Sequence, residues 1–243
     1  MVLTPEGMRF RQRAEEILDM VEKTESEFTL PEGTVSGEIH IGGGETLAMR
    51  LIAGILHAIR TDYPDIRFQL HSGNAEDVTE RVDKGLLDFG ILIQPVDIGK
   101  YDHVDIPATD VWGVLMRRDN PLAKKKTIRK KDLLGIPLIC SRWASRRGPA
   151  TTALADWFGK DFEKLDVVAT YNLIYNATLL VEEGVGAALA IDGLANTTSA
   201  SDLCFRPLEP RVESGLYMVW KKYQVFPPAA HLFLKRIMEN FGQ

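Results

Sequence analysis

The chain has 243 residues, of which 45% are hydrophobic and 26% are charged, and its formal net charge is -5. This length and apolar content are typical of a globular protein with one large domain or two small ones. No apolar run approaches the roughly 20 residues of a membrane helix, and the negative net charge argues against wrapping of nucleic acid by bulk electrostatics. Because the N-terminus also lacks a basic-then-apolar signal pattern, we expect a cytoplasmic protein without membrane contact.

The first predicted element is a long helix that begins near Leu3 and ends near residue 28. Thr4 can cap it, and Pro5 suits the first helical position. Its apolar residues are spaced four and three apart, which is a heptad pattern. They form an apolar seam that consists of Phe10, Ala14, Ile17, Val21, Thr24 and Phe28. A link with Pro and Gly over residues 29–37 separates this helix from the rest of the chain, so we expect the seam to pair with a second copy. Packing on its own domain is the alternative.

Residues 37–93 are predicted to alternate between strands and helices. The elements are a strand at 37–41, a helix at 46–61, a strand at 66–70, a helix at 75–84 and a strand at 88–93. Helical crossovers of this length imply parallel strands in a sheet that is covered by helices. Such sheets bind ligands beyond the carboxyl ends of their strands, where helix N-termini expose N–H groups. The loops at 43–46 and 72–74 are therefore candidates for ligand contact.

The same alternation returns after residue 108. Strands are predicted at 136–140, 166–170 and 186–191, with helices near 150–159 and 176–183. The run from 103 to 116 is predicted to be an extended connection, and the chain returns through a strand at 216–220 before a last helix at 228–240. We interpret this order as two α/β lobes joined by two crossings, which enclose a cleft of the kind that binds small ligands.

Motifs of catalysis and metal binding are absent from the sequence. The five histidines lack zinc-ligand spacing, and there is neither a GxSxG elbow nor a GxxxxGK phosphate loop. The glycines at 42–44 fail as a dinucleotide fingerprint, because the third glycine would fall at Leu47. Cys140 and Cys204 are predicted to be buried thiols of a reducing compartment. We therefore expect a binding module without cofactor or metal rather than an enzyme.

Six short motifs resemble those of LysR-type transcriptional regulators and occur in the order of that family. They are the LTxxG helix opening at 3–7, the first sensor strand at 37–42, the YPxV/I turn at 63–66, the GxxDxA/G motif at 85–91, the H/NPLA turn at 120–123 and the VxxGxGIAxL segment at 181–189. Each motif is short, but their shared order extends over most of the chain. The chain thus resembles the effector-binding part of this family, preceded by its linker helix.

This resemblance implies an α/β fold of two Rossmann-like subdomains of the periplasmic-binding-protein type II kind, with an N-terminal linker helix. It puts the linker helix at 1–30, subdomain I at 36–107 plus 210–243, and subdomain II at 108–209. It also implies a small-molecule effector in the cleft, a homodimer that forms a tetramer when full length, and a DNA-binding winged helix-turn-helix that precedes Leu3 and is absent here.

Two departures from the family pattern bear on the cleft. Gly44 stands where a hydroxyl residue is frequent, and Ile191 stands where proline is common. The first puts one ligand hydrogen bond in doubt, and the second is expected to reshape the cleft wall.

If the cleft is built in this way, its ligand contacts come from both lobes. Thr46 begins a helix, so its hydroxyl and N–H could hold a carboxylate, with a plain helix cap as the alternative. Arg142 could neutralise an anionic effector and Trp143 could stack on an aromatic one, although either side chain could equally serve the surface or the packing. The predicted ligand contacts are Gly43, Gly44, Glu45, Thr46, Ser72, Ile93, Gln94, Ser141, Arg142, Trp143, Tyr171 and Asn172.

We therefore predict an effector-sensing domain that binds a small polar, anionic metabolite. Two other classes of protein stay open. A solute-binding protein of a transporter requires export, for which the sequence has no signal. An enzyme on the same two-lobed fold requires convergent acid, base or metal groups in the cleft, and product formation from a bound metabolite would favour it.

Overall fold

The structure, a computed structural model, describes residues 3–28, 35–142 and 153–242. Its helices are α1 (Pro5–Phe28), α2 (Met49–Asp62), α3 (Ala75–Asp83), α4 (Ala153–Phe158), α5 (Ile174–Glu182) and α6 (Pro228–Phe241). Its strands are β1 (Gly37–Gly43), β2 (Ile66–Ser72), β3 (Phe89–Ile93), β4 (Tyr101–Arg117), β5 (Ile128–Arg129), β6 (Pro137–Ser141), β7 (Asp166–Tyr171), β8 (Ala187–Ile191), β9 (Leu203–Glu209) and β10 (Glu213–Lys221).

The described strands form one continuous mixed sheet. Its main path runs in the order β2-β1-β3-β10-β4-β8-β6-β7, and β5 and β9 pair outside that path. β1 pairs in parallel with β2 and β3, which confirms the pairing predicted from the helical crossovers. β10 then lies antiparallel between β3 and β4, and β8 and β9 are antiparallel to the end of β4.

β4 passes through two apolar cores. Its first part pairs with β10 over a core that includes Ile39 and Phe233, and its last part pairs with β8 and β9 beside a core that includes Leu138 and Phe158. We call the part around the first core lobe I (β1–β3, β10, α2, α3 and α6) and the part around the second lobe II (β5–β9, α4 and α5). Ile93 packs against both cores. The residue boundaries predicted for the two subdomains stay a prediction.

α2 begins at Met49, three residues later than predicted. The Thr46 hydroxyl donates a hydrogen bond to Asp110 at 2.8 Å and accepts one from the Ala48 N–H at 3.0 Å, so residues 46–48 form a turn. Leu47 is 40% exposed, whereas the sequence pattern predicts it in the apolar stripe. The buried face of α2 consists of Ile52, Ile55, Leu56 and Ile59.

Other predictions need correction in the second half of the chain. The extended connection at 103–116 is part of the regular strand β4, and β9 is not predicted at all. α5 begins at Ile174, two residues before its predicted start. The helix start predicted near residue 150 lies outside the described residues, and the described helix nearest to it is α4 (Ala153–Phe158). Cys140 and Cys204 are buried free thiols, as predicted.

α1 begins as predicted, and most of its seam is exposed. Thr4 Oγ1 accepts a hydrogen bond from the Gly7 N–H at 3.1 Å, and Glu16 forms an ion pair with Lys84 of lobe I at 2.9 Å. Phe10 is 77% exposed and Ile17 is 63% exposed, so the described part of lobe I leaves this face uncovered. No helix in residues 3–28, 35–142 or 153–242 combines the length and the hydropathy of a membrane span.

Candidate functional site

A cavity lies between the lobes, beyond the carboxyl ends of six strands. The loops or last residues of β1, β2, β3, β6, β7 and β8 line it, and so do the first residues of α3 and α5. The space free of protein atoms is about 650 Å³, including the open mouth.

Six of the predicted contacts line this cavity. Lobe I contributes loop residues that follow β1 and the last residue of β3, and lobe II contributes the ends of β6 and β7. These residues are Gly44, Glu45, Ile93, Ser141, Tyr171 and Asn172. A ligand in the cavity would therefore contact both lobes at once.

Five other predicted contacts lie beside the cavity rather than in its lining. The carbonyl of Gly43 accepts a hydrogen bond from the Gly73 N–H at 3.0 Å. Thr46 is buried, and its hydroxyl is bound to Asp110 and Ala48; it is not the N-cap residue of α2, which is Ala48. The side chain of Ser72 is exposed.

Gln94 and Arg142 flank the ends of β3 and β6. The side-chain amide of Gln94 donates to Asp105 at 3.3 Å, and the Arg142 N–H donates to the Tyr171 carbonyl at 2.7 Å. Trp143 lies outside the described residues. Ligand contact stays a prediction for all of the predicted site residues, inside the cavity lining and beside it.

Sequence reasoning pointed to two further parts of the lining, Gly73 and Asn74, through the loop predicted at 72–74. The side chain of Asn74 also caps α3 by accepting from the Asp77 N–H at 3.0 Å. The lining residues that were not predicted as contacts are Ala75, Ile91, Leu92, Trp112, Ile174, Ile191 and Leu194, of which Ile191 was noted only as a departure in the wall.

Glu45 connects the two lobes across the cavity. Its carboxylate Oε2 accepts a hydrogen bond from the N–H of Ile174, the first residue of α5. Leu173 occupies the N-cap position of α5 and provides no side-chain cap. Among the described residues that line the cavity, Glu45 is the only one with a charged side chain.

The aromatic groups of the wall are fixed by hydrogen bonds. Tyr171 donates from its hydroxyl to the Leu189 carbonyl at 2.8 Å, and burial raises the pKa of this phenol well above its ordinary value, so it stays a neutral donor. The Trp112 Nε1 donates to the Ser214 hydroxyl at 3.0 Å. Neither group needs a ligand to complete these bonds.

A buried carboxyl group lies behind the Thr46 loop. Asp110, on β4 between the two cores, is only 3% exposed, and its Oδ1 accepts from the Thr46 hydroxyl at 2.8 Å. Within the described part of the chain, its Oδ2 has no hydrogen-bond partner. Burial raises the pKa of Asp110 to about 6. No group of three or more His, Cys, Asp or Glu residues that could hold a metal ion occurs among the described residues.

Comparison with known proteins identifies a family. A family model described as the LysR substrate binding domain matches residues 32–242. The chain is 26% identical over 243 residues to YvbU of Bacillus subtilis, an uncharacterised HTH-type transcriptional regulator, and the match covers 100% of this chain and 80% of that protein.

Solved structures share the fold at low identity. CbnR, a LysR family transcriptional regulator, is similar with a TM-score of 0.75 at 18% identity, over 99% of this chain and 82% of that one. The effector-binding domain of QuiR in complex with shikimate is similar with a TM-score of 0.70 at 14% identity, over 85% of this chain and 97% of that one.

Proposed function

Because the chain belongs to the family of LysR substrate-binding domains, we propose that it senses a small polar, anionic metabolite in the cavity between its lobes. It is the effector-binding part of a LysR-type regulator. The observation that carries the proposal is the lining of the cavity by strand ends of both lobes. An effector changes such a protein only by binding one arrangement of the lobes better than another, and contact with both lobes meets that requirement.

Two features support an anionic effector. The N-terminus of α3 borders the cavity, and helix N-termini favour negative charge. Arg142 follows Ser141 at the end of β6, near the lobe II side of the cavity. The effector-binding domain of QuiR, which shares this fold, is in complex with shikimate, and we infer by analogy that a molecule of small-metabolite size fits here.

We further propose that the cavity binds its ligand without converting it. Glu45 and Tyr171 are the titratable side chains of its described lining, and each already makes a hydrogen bond within the protein. The relative YvbU is named a transcriptional regulator. No observation favours the transporter or the enzyme alternative.

The signal would leave the cavity through α1. The Glu16–Lys84 ion pair attaches α1 to lobe I, and the exposed seam is the surface through which we propose that two copies associate. An effector coupling of about 1–3 kcal/mol would change DNA contacts several-fold to about a hundredfold through such helices. Buried free thiols support our assignment to the reducing cytoplasm.

Ligand-observed NMR with cellular carboxylates, amino acids and aromatic acids tests the proposal. A sensor broadens the signals of one compound and leaves it unchanged, whereas growing product signals would identify an enzyme.

Calorimetry of variants with that compound then locates the site. We expect Ser141→Ala to weaken binding about tenfold, because a hydrogen bond to a charged ligand is lost. Ser199→Ala is the matched control, since this exposed residue lies outside the cavity lining and outside the predicted contacts. If Ser141→Ala and Thr46→Ala both bind normally, the effector binds elsewhere.

A further inference from the structure

We propose that Glu45 determines which effectors the cavity accepts: small acids that also carry a hydroxyl or ammonium group able to donate a hydrogen bond to its carboxylate. The inference rests on the proposed function, because it concerns the molecule that binds between the lobes. It adds a chemical class to that proposal and assigns the selection to one side chain.

A hydrogen bond to the N-terminus of α5 holds the Glu45 carboxylate in place. The helix has Leu173 at its N-cap position and no acidic residue in its first turn. Glu45, from the other lobe, supplies the missing acceptor to the Ile174 N–H and places negative charge where the helix dipole favours it. If the carboxylate turned away, a backbone N–H of a buried residue would lose its partner, since Ile174 is 4% exposed.

The second carboxylate oxygen of Glu45 is available to a ligand. Hydrogen bonding accounts for Oε2, and no described residue donates to Oε1. Glu45 is half-buried and belongs to the lining of the cavity. Its orientation is therefore fixed by the protein while one acceptor remains open toward the bound molecule.

No other charged side chain among the described lining residues balances Glu45. A ligand that placed a methyl group beside Glu45 would remove water from the carboxylate oxygen without donating a hydrogen bond to it, and this desolvation would weaken binding. A ligand that placed its own carboxylate there would face a like charge. A hydroxyl satisfies the acceptor, and an ammonium group satisfies both the acceptor and the charge.

The effector is consequently oriented as well as selected. Its donor group contacts Glu45, and its acid contacts other polar residues of the lining, which include Ser141 and Asn74. Simple alkyl carboxylates supply the acid but have no hydroxyl or ammonium group to donate a hydrogen bond to Glu45.

Matched sets of small acids test the inference by NMR titration of the Ile174 and Ser141 amides. The sets are propionate with lactate and alanine, butyrate with its terminal hydroxy and amino derivatives, and cyclohexanecarboxylate with its ring-hydroxylated and ring-aminated derivatives.

Titrations use the wild type, Glu45→Gln and, as a control for the loss of one negative charge, Asp65→Asn. Asp65 is exposed and outside the cavity. Glu45→Gln keeps an acceptor for the Ile174 N–H, so its fold is retained, and slow exchange of that amide checks this.

In the wild type and in Asp65→Asn, we expect donor-bearing acids to bind about tenfold or more tightly than their plain partners in the set that fits the cavity. Glu45→Gln should abolish both preferences, because its single amide oxygen is needed by the Ile174 N–H and its NH2 group, a donor, takes the place of the acceptor that faces the ligand. Equal binding within every set, or an unchanged preference in Glu45→Gln, overturns the role of Glu45 while the cavity remains the effector site. If no acid moves any cleft amide, the proposed function fails and the assignment of Glu45 fails with it.

Discussion

Asp110 is a carboxyl group in an apolar setting, and its surroundings decide when it carries charge. The Thr46 hydroxyl favours the ionised form, but burial outweighs it and raises the pKa of Asp110 to about 6. The folded chain therefore keeps this proton at pH values where the unfolded chain has already released it.

We expect Asp110→Asn to alter the pH dependence of stability. At about pH 2 the group is protonated in both states; as the pH rises toward about 6 the unfolded chain loses the proton first, so wild-type stability falls and then levels off. The free energy of unfolding of Asp110→Asn, relative to the wild type, should rise by roughly 3 kcal/mol at most between about pH 4 and pH 7. Urea unfolding at several pH values measures this difference.

Asp65→Asn serves as the control for this measurement, because Asp65 is exposed and should give a flat difference. A difference for Asp110→Asn that is equally flat would contradict the burial argument.

Site residues that directly follow a strand could be predicted from the sequence. Hydrogen-bond partners that are remote in the sequence could not. Gly44, Glu45 and Ser141 follow from the rule that ligands bind at the carboxyl ends of strands. The inward turn of Thr46 depends on Asp110, a partner 64 residues away. Ile174 gave no signal, because the capping group of its helix comes from the other lobe instead of from the local sequence.

Glycine has opposite roles in two elements of this fold. On the exposed face of α2, a Cβ added at Gly54 would meet no atom within 4 Å. In β4, a Cβ added at Gly113 would lie 2.2 Å from the Phe205 ring and 2.5 Å from the Arg206 carbonyl oxygen. The ring could shift, but the carbonyl belongs to the paired strand β9 and could move only with that strand.

Gly54→Ala and Gly113→Ala form a matched pair of tests. We expect the first to stabilise the protein by about 0.5–1 kcal/mol, since alanine is the better helix former and restricts the unfolded chain. The second should destabilise it by about 1–3 kcal/mol, because the added methyl overpacks the junction of β4 and β9. Urea unfolding of both variants measures the two changes. Loss of stability in Gly54→Ala would contradict the exposed position assigned to it.

The type of an element could be predicted where its apolar residues recur with a single helical or strand period, and not where they do not. The alternation at β1 and β2 and the apolar spacing in α2 and α6 indicated their type directly. β4 lacks a single period, because its first part alternates between buried and exposed residues while Val114, Leu115 and Met116 are all buried. β9 contains Pro207, a residue that is disfavoured within strands.

At the scale of the whole molecule, α1 exposes a row of large apolar side chains that a monomer would leave in contact with water. Phe10, Ile17 and Leu18 are each more than half exposed, and Val21 is 46% exposed. Phe10, Ile17 and Val21 follow the heptad spacing and Leu18 widens the seam beside them, so a second helix of the same sequence could cover these residues. Self-association through the seam is accordingly our expectation for the intact protein.

The double variant Phe10→Glu with Ile17→Glu should weaken self-association by more than about tenfold, because charges would be buried without partners between the paired helices. Sedimentation velocity across a concentration series measures the effect. The control combines Arg9→Gln with Gln12→Glu, which removes one positive charge and adds one negative charge outside the seam and so changes the net charge of α1 by the same amount. A wild type that sediments only as a monomer at micromolar concentration, with α1 intact, would contradict the expectation.

The two crossings between the lobes lie side by side. Val111 is paired in register with Glu213, and the Trp112 N–H donates to the Val212 carbonyl at 2.9 Å. All of lobe II is thus inserted between two adjacent points of the sheet. A recombination event that replaced residues 112–212 would join at neighbouring positions and leave the core of lobe I uncut. Half of the cavity wall could be exchanged in one step while α1 kept its attachment at Lys84. This architecture therefore lets the ligand specificity change while the contact between lobe I and α1 stays the same.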